Sequence, residues 1–329
     1  MRLCQTTAQI SCDGVSTLVW DGDDLVDVTS NQRIRLDGSI TRRQFGLGYE
    51  FDRAVCFRGS DTFWAVAYNN RRTAAALMKE GQFHRQLNRD FNHADRFDYP
   101  VTLADRGSGR IVVIHCPRSY DTLAFEDAET GEILDVKRTK GMEFHSRLAI
   151  SPSGRFLLSA GWFWHPLCGV WICDISESAG GISKSDELAF SYGYEFDAAA
   201  FLDDRHVVLT TTTEEVNAEI PNMGLGPLKL GVRSIQENRW NSIADLTECS
   251  GTIMPWRDWI ISFYEHPKAI ELATGAVVHR WDELYSGRQV GAIDLGDPPL
   301  PQIALDSQGG RFAVSGPQGI TVVTLSVVA

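Results

Sequence analysis

Long hydrophobic runs are missing from this sequence. No stretch of its 329 residues approaches the roughly 18 apolar residues a membrane-crossing helix needs, so no membrane span is expected. The opening Met1-Arg2-Leu3-Cys4-Gln5-Thr6-Thr7 lacks the apolar segment of a signal peptide. Cys-x-x-Cys pairs are missing too. The seven cysteines, at 4, 12, 56, 116, 168, 173 and 249, are odd in number and scattered. Most sit in apolar surroundings, as in Ala54-Val55-Cys56-Phe57 and Val113-Ile114-His115-Cys116, which reads as reduced, buried thiols in a cytoplasmic protein. Positive charge is scarce: 31 Lys and Arg against 43 Asp and Glu leave a formal charge of −12. That balance argues against nucleic acid as the main partner, because phosphate binding relies on clustered Lys and Arg.

Catalytic motifs are weak or absent. There is no Gly-x-Ser-x-Gly elbow, no Walker loop and no His-Glu-x-x-His, and the eight histidines form no metal-ligand pair at short spacing. An enzyme is therefore not the first expectation. Helical periodicity is nearly absent as well. The one tempting stretch, 73–79, falls where a repeat places a strand.

What the sequence does have is a repeat. Gly48-Tyr49-Glu50-Phe51-Asp52 recurs as Gly193-Tyr194-Glu195-Phe196-Asp197, and each runs into an apolar stretch ending in Phe. Gly141-Met142-Glu143-Phe144-His145 is a third copy and Arg96-Phe97-Asp98 a degraded one. Weaker matches lie at Glu248-Cys249-Ser250 and around Pro299-Leu300, and Ala8 to Gly14 aligns with Leu148 to Gly154. Seven units then start near residues 5, 51, 97, 144, 196, 249 and 299. The unit at 144 shows the internal plan. A first strand at 147–150 is followed by the turn Ser151-Pro152-Ser153-Gly154, and further strands fall at 155–160, 169–175 and near 187–190. Four strands in a repeat of about 40–50 residues is the pattern of a propeller blade, and a ring of blades lets each cover its neighbours' apolar faces.

The expected fold is all-β: residues 1–329 as a single seven-bladed β-propeller of four-stranded antiparallel blades. The Ser-Pro-Ser-Gly-Arg turn, the strand Val170-Trp171-Ile172-Cys173-Asp174 and the Thr-Gly turns at 130–131 and 274–275 resemble WD-repeat and related bacterial β-propellers. The resemblance spans nearly the whole chain and is generic. Trp20-Asp21 and Trp281-Asp282 lie away from the family's usual position, and Glu-Phe-Asp or Glu-Phe-His replaces its opening Gly-His. The last unit is short. Only Met1 to Cys4 precedes the first expected strand, which leaves closure by an N-terminal strand in doubt and a three-stranded last blade as the alternative.

In such a ring the connections between blades and the loops between second and third strands share the top face. The repeated segments place Glu50, Asp52, Asp98, Glu143, His145, Glu195 and Asp197 there as a polar ring at the channel mouth. Residues of this kind either hydrogen-bond within and between blades or bind a ligand directly. Two enlarged loops are expected on the same face, one with Trp162, Phe163, Trp164 and His165, the other, 212–227, with Glu214, Glu215 and Glu219. Basic residues, among them Arg71, Arg72 and Arg118, are expected over units one to three, and acidic ones over units four and five. A face split in this way suits a protein partner with its own charge pattern.

The reading is a non-catalytic interaction scaffold or assembly subunit that binds a protein through top-face loops. The alternative is a channel-mouth small-ligand binder or metal-assisted hydrolase of lactone or ester type, with Asp52, Glu143, Glu195 and Asp197 holding a Ca2+ or other divalent ion.

Overall fold

The middle strands of the chain bury both faces. In Phe63–Tyr68 the alternation of a strand divides the side chains between two neighbours. Phe63, Ala65 and Ala67 pack with Val19 and Val26, whereas Trp64 and Val66 pack with Val101, Leu103 and Val113. Ile111–His115 repeats the division, since Ile111 and Val113 turn toward Trp64 while Val112 and Ile114 turn toward Leu157 and Trp171. A strand covered on both sides reads as a continuous apolar run, which is how these segments read.

The computed structural model describes residues 2–42, 46–59, 61–107, 109–138, 144–164, 167–176, 189–190, 194–215, 225–290 and 300–328. Among them the only regular elements are strands, thirty in all, numbered in chain order. The first is β1 (Arg2–Ile10). Blade 1 is β2 (Leu18–Asp21), β3 (Asp24–Asp27), β4 (Gln32–Ile34) and β5 (Ile40–Arg42). Blade 2 is β6 (Arg53–Arg58), β7 (Phe63–Tyr68), β8 (Ala74–Lys79) and β9 (Gln82–Asn88). Blade 3 is β10 (Val101–Asp105), β11 (Ile111–His115), β12 (Thr122–Asp127) and β13 (Ile133–Arg138). Blade 4 is β14 (Phe144–Ile150), β15 (Phe156–Trp164), β16 (Leu167–Asp174) and β17 (Ala189–Phe190). Blade 5 is β18 (Tyr194–Phe201), β19 (His206–Glu215), β20 (Lys229–Ser234) and β21 (Arg239–Asp245). Blade 6 is β22 (Ile253–Trp256), β23 (Trp259–Ser262), β25 (Lys268–Glu271) and β26 (Val277–Arg280), with the short β24 (Tyr264–Glu265) paired separately to β27 (Gly287–Arg288). The last blade takes β28 (Ile303–Asp306), β29 (Arg311–Gly316) and β30 (Gly319–Val328) from the C-terminal end of the chain.

These sheets form a seven-bladed β-propeller, and seven apolar clusters lie between successive blades. The cluster between blades 6 and 7 is the richest in aromatics: Trp256, Trp259, Phe263 and Trp281 meet Phe312. Trp281 is wholly buried and stands edge-on to Phe312 at 5.1 Å. Each such side chain contributes about 1.5–3 kcal/mol relative to exposure. Polar links cross the interfaces too. Trp20 donates its indole N–H to the Ala304 carbonyl (3.2 Å) and lies under the Arg311 guanidinium (4.1 Å), joining blades 7 and 1. Arg58 pairs with Asp21 across blades 1 and 2, and Arg85 with Glu126 across blades 2 and 3.

Closure departs from the sequence expectation. The segment at 8–10 is not the inner strand of a first unit. It belongs to β1, which pairs antiparallel with β30 from Arg2↔Val328 to Ile10↔Ile320. The last blade thus has three strands of its own and a fourth from the N-terminal end, and blade 1 begins inward at Leu18. Ala8, Ile10, Ile320 and Val322 pack together with Leu18 and Leu25, so the seam is also an apolar one.

Gly319 opens β30 at this seam with φ +111°, and a Cβ there would strike the Ile10 carbonyl. Gly319→Ala is therefore expected to cost about 2 kcal/mol and lower the melting temperature in calorimetry. Gly14→Ala, with open space around it, serves as the neutral control.

Candidate functional site

The innermost strand of each blade lines the central channel. The connections into those strands and the turns between second and third strands gather at one end of it. The repeated acidic positions lie at the beginnings of the inner strands, and Asp52, Asp98 and Asp197 among them accept hydrogen bonds. Asp98 is buried. Its Oδ1 accepts from Asn70 Nδ2 and its Oδ2 from Arg147 Nε, each at 2.5 Å, while its backbone N–H donates to Ser146 Oγ at 3.0 Å. These bonds join blade 3 to blades 2 and 4. Asp197 Oδ2 accepts from the backbone N–H groups of Ser250 and Gly251, both 2.8 Å, and from Ser250 Oγ at 3.1 Å, joining blade 5 to blade 6. Asp52 accepts from the Asn70 N–H at 2.8 Å, and burial raises its pKa above the usual carboxylate value, with the charge of Asp98 adding to the shift.

His145 is fully buried. Its Nδ1 lies 2.7 Å from Ser159 Oγ and its ring stands against Trp171. Burial lowers its pKa from the ordinary 6.5 to about 4, so the imidazole is neutral in the folded protein at neutral pH. Glu50 is exposed. Glu195 lies in β18, with its side chain outside the described residues, and Glu143 lies outside them altogether.

Two arginines span the channel mouth. Arg147 of blade 4, besides holding Asp98, donates to Thr252 Oγ1 at 3.0 Å at the start of blade 6, two blades on. Arg53 of blade 2 donates to Gln289 Oε1 at 3.3 Å in the connection between blades 6 and 7. Gln289 is itself held through Nε2 by the carbonyls of Ser286 (2.9 Å) and Pro301 (2.8 Å). The mouth is a bonded polar network that carries both charge signs.

Sequence reasoning missed the residue that builds the neighbouring surface. Arg89 is buried between blades 2 and 3, and its guanidinium donates only to backbone carbonyls: Arg72 (2.9 Å), Phe97 (3.2 Å), Asp98 (2.8 Å), Asn70 (3.1 Å) and Ala94 (2.5 Å). Its plane packs on the rings of Phe97 and Tyr99 at 4.9 and 5.0 Å. Burial depresses its pKa to about 10, still far above neutrality. Held this way, the 89–98 connection presents Phe91 with 84 % of its surface exposed. Tyr49 (71 %) and Tyr285 (57 %) stand out from the other connections on this face.

The expected partner-binding residues are distributed unevenly. Arg71, Arg72 and Arg118 are exposed in the second turns of blades 2 and 3. Trp162, Phe163 and Trp164 do not form a loop; they extend β15, with Trp162 opposite Cys168 and Trp164 opposite Leu167. Aromatic residues favour strands, so the hairpin continues through them. Glu214 and Glu215 likewise extend β19, with Glu215 opposite Tyr194. His165 and Glu219 lie outside the described residues. Also on this face, a cleft of roughly 260 Å³ between blades 7 and 1 is lined by Cys12, Asp13, Val15, Leu300, Pro301 and Ser315.

No protein-family model matches the chain, and no curated protein does. Solved structures do. A chain of hydrazine synthase from Kuenenia stuttgartiensis superposes with a TM-score of 0.60 at 12% identity, covering 96% of this chain and 97% of that one. BamB from Moraxella catarrhalis gives 0.56 at 11% identity, covering 98% and 99%. These likenesses support the seven-bladed propeller fold, at an identity that speaks for the fold alone.

The buried His145 generates a pH dependence with a definite sign. Its folded pKa lies below its unfolded value, so the unfolded chain binds the extra proton between pH 6.5 and about 4. Stability is expected to fall as pH drops through that window. In denaturant titrations at stepped pH, His145→Gln is expected to flatten that part of the profile, and an unchanged slope would assign it to other groups.

Proposed function

We propose that this WD-repeat-like propeller is a protein-interaction scaffold that binds a partner through its top-face loops and carries out no catalysis of its own. One observation carries the reading: on a single face, Asp98, Asp197, Arg147 and Arg53 of the channel mouth are engaged in bonds between blades, while aromatic rings and guanidinium groups stand exposed around them. Tyr49, Phe91 and Tyr285 project from the connections, and Arg71, Arg72 and Arg118 from the turns beside them. Aromatic residues and Arg are the side chains that dominate binding energy at protein interfaces. The extended hairpins bearing Trp162, Phe163 and Trp164, and Glu214 and Glu215, belong to the same proposed surface.

The other reading, a ring of Asp52, Glu143, Glu195 and Asp197 acting on a small ligand through a Ca2+ ion, has less support. Asp197 already accepts from two backbone amides, and Asp52 neighbours Arg53. A carboxylate so engaged is a poorer metal ligand and a poorer base. Among the described residues no three Asp, Glu, His or Cys side chains converge. The cytoplasm is the proposed setting, in keeping with seven unpaired cysteines of which Cys116, Cys168 and Cys173 are buried.

The test is recovery of partners on the tagged full-length chain from its native cell. Wild type is compared with Tyr49→Ala/Phe91→Ala/Tyr285→Ala and with the outer-strand variant Phe83→Ser/Ile243→Ser. A stoichiometric protein lost only from the top-face variant is the expected result. Loss only from the outer-strand variant would move the interface to the side of the ring and overturn the proposal.

A further inference from the structure

The 89–98 connection combines three features on the top of blades 2 to 4. The first is exposure without looseness. Phe91 is the most exposed large apolar side chain described, yet the segment carrying it is fastened at Ala94, Phe97 and Asp98 by the buried Arg89. Arg96 N–H to the His93 carbonyl (2.9 Å) and Ala94 N–H to the Phe91 carbonyl (3.1 Å) tighten it further. An apolar side chain held out on a rigid loop loses little conformational freedom when a partner covers it.

The second feature is continuity with two turns. Arg89 also bonds the carbonyls of Asn70 and Arg72, which fixes the blade 2 turn against the connection. His93 stands edge-on to Phe144 at 5.8 Å, and Tyr120 stacks on the same Phe144 ring at 4.3 Å, so the blade 3 turn is joined through that ring.

The third feature is charge. Those turns and the connection carry Arg71, Arg72, Arg96 and Arg118, all exposed. The carboxylates among them are engaged locally: Asp90 caps the Asn92 N–H at 2.9 Å, Asp95 lies 3.4 Å from Arg96, and Asp121 holds Arg138 at 2.7 Å. Asp90 and Asp95 offset two of the four arginines and Asp121 is balanced by Arg138, so the patch keeps a positive excess on a chain whose net charge is −12. An acidic partner would be repelled by most of this molecule and attracted here, which makes the patch selective in orientation as well as in charge.

Resting on the top-face reading above, we infer that the 89–98 connection and the two flanking turns form a docking site for an acidic peptide segment of a protein partner. An apolar side chain of the segment packs on Phe91, and its carboxylates pair with Arg72, Arg96 and Arg118.

The probe is a fluorescein-labelled dodecapeptide of alternating Glu and Asp with a central Leu-Phe pair, titrated with the full-length chain in an anisotropy assay. A Lys/Arg peptide of the same layout and an acidic peptide without Leu-Phe are the controls. The acidic Leu-Phe peptide is expected to bind with a Kd on the order of 100 μM or tighter and to lose affinity as salt is raised. Phe91→Ser and Arg72→Glu/Arg118→Glu are each expected to weaken it at least tenfold, with melting temperature unchanged because these side chains are exposed. No binding up to about 1 mM, equal binding of the basic peptide, or equal binding by the variants would overturn the inference. The two levels of the account separate in the partner-recovery experiment. A native partner retained by these variants but lost with Tyr49→Ala/Tyr285→Ala removes this patch and leaves the top-face reading standing. A partner lost only from the outer-strand variant removes both.

Discussion

A four-stranded blade of this sequence has two apolar faces and cannot cover either by itself. Everything else in the structure depends on that constraint. Phe63, Ala65 and Ala67 need one neighbour while Trp64 and Val66 need another, and the demand passes from blade to blade until the ring returns to its beginning. An open arc would leave the last pair of faces in water. The pairing of Arg2–Ile10 with Gly319–Val328 removes that possibility, because one strand from each end of the chain completes a single sheet whose inner side packs on blade 1.

The stacking of blades also determines what the polar residues at the inner strand ends can do. Packing of neighbouring blades brings their starts close enough for Asp98 to reach Arg147 and Asn70, and for Asp197 to reach Ser250 and Gly251. Arg147 and Arg53 then extend the bonding across the channel mouth. The acidic repeat that looks in sequence like a ligand ring joins neighbouring blades at Asp98 and Asp197 and holds a turn of its own blade at Asp52. On the proposed reading, binding falls to the exposed side chains of the connections and turns outside these joints.

Much of this was legible in the sequence because a repeated geometric role leaves a repeated residue. The Glu-Phe-Asp segment at 50–52 leads into the inner strand that begins at Arg53, the copy at 195–197 lies in the first half of the one that begins at Tyr194, and the degraded copy at Arg96-Phe97-Asp98 leads into Val101. The first unit was misread for a physical reason. Ala8 to Gly14 has the alternation and turn of an inner strand, and nothing local reveals that its partner is Ile320, at the other end of the chain. The run at 162–164 looked like a loop because the repeat lengthens there, whereas its aromatics simply prolong the hairpin. Arg89 left no trace at all. Its partners are carbonyl groups, which every residue carries, so only the fold shows why a lone arginine sits there and why Phe91 beside it stands in water.

The pairing of β1 with β30 in one sheet holds the ring, and hence its top face, together. Hydrogen–deuterium exchange of the native full-length protein tests it most directly. The amides of 2–10 that face β30 are expected to be protected, and to lose protection together with 319–328 as denaturant is raised. Rapid exchange of those amides beside a protected 319–328 would contradict the pairing.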